Sequence, residues 1–211
     1  MRSIFHHRGQ SYDLTSTSWL DTIEEEGFAG VIFDCDGTLV DSADAHMHAM
    51  QAATLEQGQE MAASWYQSRT GLDRTSLFEQ FSLTTDAHFN IEQACLTSIA
   101  SFKHFIDQIQ PIPATIKLAT QLYKDNFPLA VATNSERAVA EQSLSAAEVR
   151  HLFDLIVSIS DDVPPKPSPS MFELAAKRMS LSVEEILVFE DSAQGVYAAG
   201  QAGMSVIQLI L

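Results

Sequence analysis

Apolar residues fall along this chain in two rhythms. Short unbroken runs, Ala29-Gly-Val-Ile-Phe33, Leu129-Ala-Val-Ala132, Leu155-Ile-Val-Ser158 and Ile186-Leu-Val-Phe189, show no polar face, so they read as strands buried on both sides. Ser205-Val-Ile-Gln-Leu209 is a fifth strand of the same kind. Between these runs the spacing becomes helical. Ile116, Ala119, Leu122 and Tyr123 share one face, Ala140, Leu144 and Ala147 another, and Met171, Leu174 and Ala175 a third. A further helix near Gly195 is expected to stop at Gly203, since glycine suits the left-handed position at a helix end. This β and α alternation over 110–211 predicts an α/β fold with a doubly wound parallel sheet.

Residues 45–110 behave differently. They contain no strand-like run and read as helical throughout, with Trp65, Tyr66, Leu77, Phe78, Phe81, Ile99, Phe102 and Phe105 available for a small core of their own. The expected organisation is an N-terminal extension (1–28), a core made from 29–44 and 111–211, and a helical insert or cap (45–110). The extension is expected to end in a short helix, capped by Ser18, carrying Trp19 and Ile23 on one face and stopped by Gly27.

Composition narrows the class of partner. Lys and Arg total 12 against 28 for Asp and Glu, a formal net charge of -16. Such a surface repels polyphosphate backbones and anionic headgroups, so neither nucleic acid nor membrane is the expected partner. A small anionic substrate is still compatible with it, provided a metal or focused cations offset the field locally. Cys35 and Cys95 lie far apart and match no metal spacing, and no stretch is long enough to span a bilayer. A cytoplasmic protein of undefined oligomeric state is expected.

The strands end in polar residues: the first in Asp34-Cys-Asp36, the second in Thr133-Asn-Ser135, the fourth in Glu190-Asp191, while the third leads toward Lys166. In open α/β sheets the binding crevice lies beyond the carboxyl ends of the strands, so these groups are expected on one edge. A carboxylate can attack phosphorus, which divides one displacement into two. A second carboxyl can protonate the leaving oxygen and then activate water. Carboxylates crowded around a phosphate require a hard cation, and Mg2+ suits them. Lys166 can balance charge on the transferring group, and Thr133 can donate a hydrogen bond to it.

Asp34-Cys-Asp-Gly-Thr-Leu-Val-Asp-Ser42, Thr133-Asn-Ser135, Lys166-Pro-Ser-Pro169 and Phe189-Glu-Asp-Ser192 followed by Gly195 resemble, in order and spacing, the four motifs of the haloacid dehalogenase superfamily. His46-Met-His-Ala-Met50 and Gly71-Leu-Asp-Arg74 resemble its β-phosphoglucomutase and sugar-phosphate phosphatase branch, which carries a small helical cap. The resemblance implies Asp34 as nucleophile and metal ligand. It implies Asp36 as general acid and base, its carbonyl also on Mg2+, with Thr133 and Lys166 on the phosphoryl group. Asp191 would ligate the metal, with Glu190 as ligand or behind it. Asn134, Ser135, Arg74 and His46 would serve the substrate side, Arg74 at its distal end and His46 near the hinge of the cap.

Each motif alone has a plainer reading. Asp34-x-Asp-Gly can be a turn, but Leu39 stands where a calcium loop requires glycine. Ser135 can cap a helix, Lys166 can be a solvated loop lysine, Glu190-Asp191 can favour a helix N-terminus, and Arg74 can be surface charge. Trp65 and Tyr66 read as cap core, Cys35 as an apolar filler of the sheet, and His6, His7 and His48 as ordinary surface or satisfied residues. The shared register favours chemistry. Asp36 argues against dehalogenation, where no leaving oxygen needs a proton. Glu136, standing where related mutases carry Lys, favours a hydrolase acting on a small phosphorylated metabolite over a sugar phosphomutase or a silent binding protein.

Overall fold

The computed structural model describes residues 1–85 and 88–210. The chain opens with strands β1 (Arg2–His7) and β2 (Gln10–Thr15), then helix α1 (Trp19–Glu25) and strand β3 (Gly30–Phe33). A two-residue strand β4 (Val40–Asp41) leads into helices α2 (Ala43–Glu56), α3 (Ala63–Gln67), α4 (Arg74–Ser82) and α5 (Ile91–Phe102). After β5 (Gln110–Pro111) come α6 (Pro113–Lys124), β6 (Leu129–Thr133), α7 (Arg137–Ala146) and β7 (Leu155–Ser158). The chain closes with α8 (Ser170–Met179), β8 (Ile186–Glu190), α9 (Ala193–Gln201) and β9 (Ser205–Ile210).

The main sheet runs β2-β1-β9-β8-β3-β6-β7. The five strands expected from the apolar runs pair in parallel. Strand order reverses about β3, which has β8 on one side and β6 on the other, and that reversal opens a crevice at their carboxyl ends.

Strand alternation sends neighbouring residues of β3 into different cores. Val31 and Phe33 join Val131, Leu187, Phe189 and Ile207 beneath α1, α6 and α7. Ile32 joins Ala130, Ala132, Val157 and Val188 beneath α8 and α9. Burial on both faces is why these strands carry no polar alternation. Phe33 stacks on Phe189 at 5.0 Å between centroids and meets Phe153 edge-on at 5.9 Å, so aromatic contacts tie β3 to β8 and to the segment before β7.

Residues 1–28 hold more structure than the expected short helix. β1 pairs antiparallel with β2 and with β9, Phe5 opposite Ile207, so the extension continues the main sheet. Its alternation is shallow, because only Ser3 and Phe5 of β1 are fully buried while β2 is almost wholly exposed. Trp19 packs edge-on against Phe189 at 5.1 Å and donates its indole N–H to Ser3 Oγ at 2.9 Å. The helix lies where expected and Gly27 follows it at φ +73, but Ser18 makes no side-chain capping bond. Thr22 instead donates its hydroxyl back to the Ser18 carbonyl.

The helical segment has its own core of Met47, Met50, Met61, Tyr66, Leu77, Phe78, Phe81 and Phe89, with Trp65 against it. Ile99, Phe102 and Phe105 belong to the main core instead. The last turn of α5 comes back toward the sheet, and there Phe102 packs 4.7 Å from the His46 ring. β4 and β5, the two strands flanking the helices, pair antiparallel. No helix among the described residues is long and apolar enough to cross a membrane.

Candidate active site

Past β3 the backbone turns sharply. Asp34 N–H still bonds to the Phe189 carbonyl at 2.9 Å, after which Thr38, Leu39 and Val40 all direct their N–H groups to the Cys35 carbonyl. Gly37 takes φ +86 in this turn, and a Cβ there would stand 2.2 Å from Asp191 Oδ2. Only glycine fits both the torsion and the contact. Asp34 and Asp36 both line the cleft, whereas Cys35 is fully buried in the main core, as its reading as apolar filler required.

Asp34, Lys166 and Glu190 form a buried row. Lys166 Nζ donates to Asp34 Oδ1 at 2.6 Å and to Glu190 Oε2 at 2.6 Å, and lies 5.0 Å from the centre of the Phe172 ring. It is 4% exposed, which rules out a solvated loop lysine. Asn134 fastens the backbone that carries it: its Oδ1 accepts from Lys166 N–H at 2.7 Å and its Nδ2 donates to the Lys166 carbonyl at 3.2 Å. Glu190 Oε1 accepts from Asp191 N–H, Ser192 N–H and Ser192 Oγ. Ser192 caps α9 through the Gly195 N–H, and Gly195 has no space for a Cβ, which would fall 2.0 Å from the Glu190 carboxylate.

Asp36 sits in a second group of donors. Its Oδ1 receives Ser42 Oγ at 2.5 Å and faces His46 Nε2 at 3.0 Å, while its Oδ2 receives Ser135 Oγ at 2.7 Å and, more weakly, Thr133 Oγ1 at 3.5 Å. Ser135 therefore serves Asp36 and does not cap α7, whose N-cap is Glu136. His46, in the first turn of α2, thus touches Asp36 directly.

Electrostatics separate the two aspartates. Burial and then repulsion from Glu190 hold Asp34 well above the ordinary carboxylate range, against the pull of Lys166. Burial and Glu190 also push Asp191 up to about 7. Burial would raise Asp36 as well, but the charge and hydrogen bond of His46, with the hydroxyls of Ser42 and Ser135, hold it well below the usual range. Burial tends to lower Lys166, yet Asp34 and Glu190 outweigh it and keep the ammonium charged.

Oxygens of Asp34, Glu190 and Asp191 lie within 4.8 Å of one another. Three carboxylates against one ammonium leave excess negative charge at a point where hard oxygen donors converge, which fits a divalent cation such as Mg2+. Thr38 Oγ1 donates to Asp191 Oδ1 at 3.2 Å and orients that donor.

All ten site residues expected from the sequence line one cleft of roughly 580 Å³ between the sheet edge and the helical segment. Arg74 is 4% exposed, not surface charge. Tyr66, read as cap core, also lines the cleft, and burial followed by the charge of Asp36 raises its phenol. Ser42 belongs to the first motif, but nothing in the sequence marks its contact with Asp36, or Ser98, which bonds to Arg74 from α5.

The family model described as haloacid dehalogenase-like hydrolase matches residues 31–209. The chain is 30% identical over 190 residues to the fructose-1-phosphate phosphatase YqaB of Escherichia coli, covering 88% of this chain and 98% of that one. It is 26% identical over 196 residues to the phosphoglycolate phosphatase of Photorhabdus laumondii, covering 87% and 81%. Among solved structures, CbbY from Rhodobacter sphaeroides in complex with phosphate superposes with a TM-score of 0.77 over 84% of each chain, at 23% identity. With nearly all of the chain beyond the N-terminal extension accounted for in this way, the protein belongs to the haloacid dehalogenase-like hydrolase family.

Proposed function

We propose that this protein is a Mg2+-dependent phosphatase that hydrolyses a small phosphorylated metabolite, a sugar phosphate in particular, through a phosphoaspartate on Asp34. The observation that carries the reading is the row Asp34–Lys166–Glu190 with Asp191 beside it and Asp36 opposite, all on one cleft. Two relatives, named as phosphatases of fructose 1-phosphate and phosphoglycolate, support the substrate class. Cys35 and Cys95 are both free thiols, in keeping with a cytoplasmic setting.

Lys166 steers the phosphoryl group onto Asp34 and spreads its charge, while Asn134 and Glu190 fix where the ammonium points. Asp34 attacks phosphorus, an O–P bond forms to its carboxylate, and the bond to the leaving oxygen breaks. Asp36 supplies the proton that oxygen needs. The acid must be protonated for that step, and the dianionic phosphate arriving beside it raises its pKa from the depressed value of the free site. Asp36 then takes a proton from water, the water attacks phosphorus, and phosphate leaves with Asp34 restored. Thr133 and Ser135 donate hydroxyls at the border between Asp36 and the phosphoryl position. Asp34 and Asp191, with the Asp36 carbonyl, would hold Mg2+, while Glu190, both of whose oxygens already accept hydrogen bonds, keeps Lys166 and the start of α9 in place. Bound there, Mg2+ would offset the negative charge of the carboxylates and of the substrate.

A panel of phosphorylated sugars and acids assayed for inorganic phosphate tests this. Release that requires Mg2+ and is abolished by a chelator is expected. Isomer interconversion without net release would overturn it in favour of a mutase.

A further inference from the structure

Arg74, the first residue of α4, reaches across the cleft to Glu136 at the N-cap of α7. Its Nε lies 3.0 Å from both carboxylate oxygens, and Nη1 donates to Ser98 Oγ at 2.9 Å. The side chains are 3% and 18% exposed, so the pair is largely withdrawn from water. Both residues also line the cleft, and neither is hydrogen-bonded to the Asp34–Lys166–Glu190 row.

We propose that Glu136, by occupying Arg74, sets the specificity of the distal end of the cleft: it admits a neutral, hydroxyl-bearing group and rejects a second phosphate or carboxylate. This rests on the phosphatase reading above and names the kind of substrate that fits it. A buried guanidinium facing an empty pocket would recruit an anion, because Arg offers a planar fork of donors to an acidic group. Here the charge already faces the chain's own carboxylate through Nε, and Nη1 is taken by Ser98. A second anionic group would have to displace Glu136, leaving a carboxylate stranded with a like charge beside it. Arg69, which also lines the cleft, is engaged locally, with Nε on Gln80, Nη1 on the Trp65 carbonyl and Ser68, and its guanidinium 4.2 Å above the Trp65 ring. Asp41 adds negative charge to the cleft lining, and Thr70 and Gln194 add neutral polar groups suited to hydroxyls.

The test compares fructose 1-phosphate with fructose 1,6-bisphosphate, both with Mg2+. The wild-type protein is expected to favour the monophosphate in kcat/KM by about 10²-fold, the scale on which like-charge juxtaposition discriminates. Glu136→Gln should narrow that ratio about tenfold, mainly through a lower KM for the bisphosphate, and Arg74→Met on top of it should remove the gain. A merely structural ion pair would lower turnover of both substrates together. The same ratio read as Kd by calorimetry in the Asp34→Asn background is measurable even without turnover. Absence of monophosphate hydrolysis would sink the phosphatase reading alone. A wild type that handles the bisphosphate equally well, or a Glu136→Gln ratio that does not move, would overturn the role of the pair whatever the activity.

Discussion

Asp36 is surrounded by Ser42, His46, Thr133 and Ser135, groups from two separate stretches of chain, and that ring is what distinguishes it chemically from Asp34, two residues away. Replacing it with Asn keeps most of the shape and removes the exchangeable proton. Asp36→Asn is expected to slow turnover by roughly 10²–10⁴-fold, the range for loss of one general acid and base. Acid-quenched protein should then retain substrate phosphate; an unchanged steady-state rate would refute the role. That Asp34 and Asp36 share a cleft with Thr133, Lys166 and Glu190-Asp191 was legible from the sequence, because the polar residues follow apolar strands whose carboxyl ends meet at one sheet edge. The ring around Asp36 was legible only in part: His46, Thr133 and Ser135 are expected on the substrate side, but not that they meet Asp36. Tyr66 reaches the cleft and Ser98 reaches Arg74 through helix packing, and no local spacing records which neighbour a face of α3 or α5 meets.

Two glycines show how tightly elements are pressed together at this edge. The carboxylate of Glu190 lies against Gly195 in the first turn of α9, and Asp191 lies against Gly37 in the turn after β3. Gly195→Ala must push Glu190 aside and so loosen Lys166. Phosphate release should drop at least tenfold, and stability should fall by about 1–3 kcal/mol, as overpacking of a full interior does. Urea unfolding and a KM against kcat comparison would show it, and an unaltered variant would mean that α9 slides freely on β8. The parallel strands and their helices were readable because burial on both faces produces unbroken apolar runs. The hairpin β1–β2 was not, because alternation in β1 is carried by Ser3 and Phe5 alone and β2 is polar along its length. That Ile99, Phe102 and Phe105 pack on the main core and not on the core of the helical segment was not readable for a related reason: a helical stripe reveals that a face is buried, not against which layer.

At the scale of the whole molecule, the N-terminal extension closes an edge. β1 covers β9, and Trp19 plugs the same face above Phe189. Removing residues 1–17 would leave β9 unpaired on that side and the Trp19 indole without Ser3. A lower urea midpoint and concentration-dependent association are expected from the exposed edge, with kcat retained in the folded fraction because the site lies at the other strands' ends. Trp19→Ala alone should cost about 3–5 kcal/mol. Equal midpoints for full-length and shortened chains would show that the hairpin is only an ornament of the sheet. The charge of -16 has its place here too: Lys166 and a bound cation must supply locally what the surface withholds from an anionic substrate. The nucleophilic role of Asp34 is the claim on which the rest depends. Its most direct test is mass spectrometry of acid-quenched enzyme during turnover of a sugar phosphate with Mg2+. The account predicts one added phosphoryl group, mapped to the peptide bearing Asp34 and missing from Asp34→Asn, which should release no phosphate. Phosphate release by Asp34→Asn at the wild-type rate, or turnover with no phosphorylated peptide in either wild type or Asp36→Asn, would contradict it.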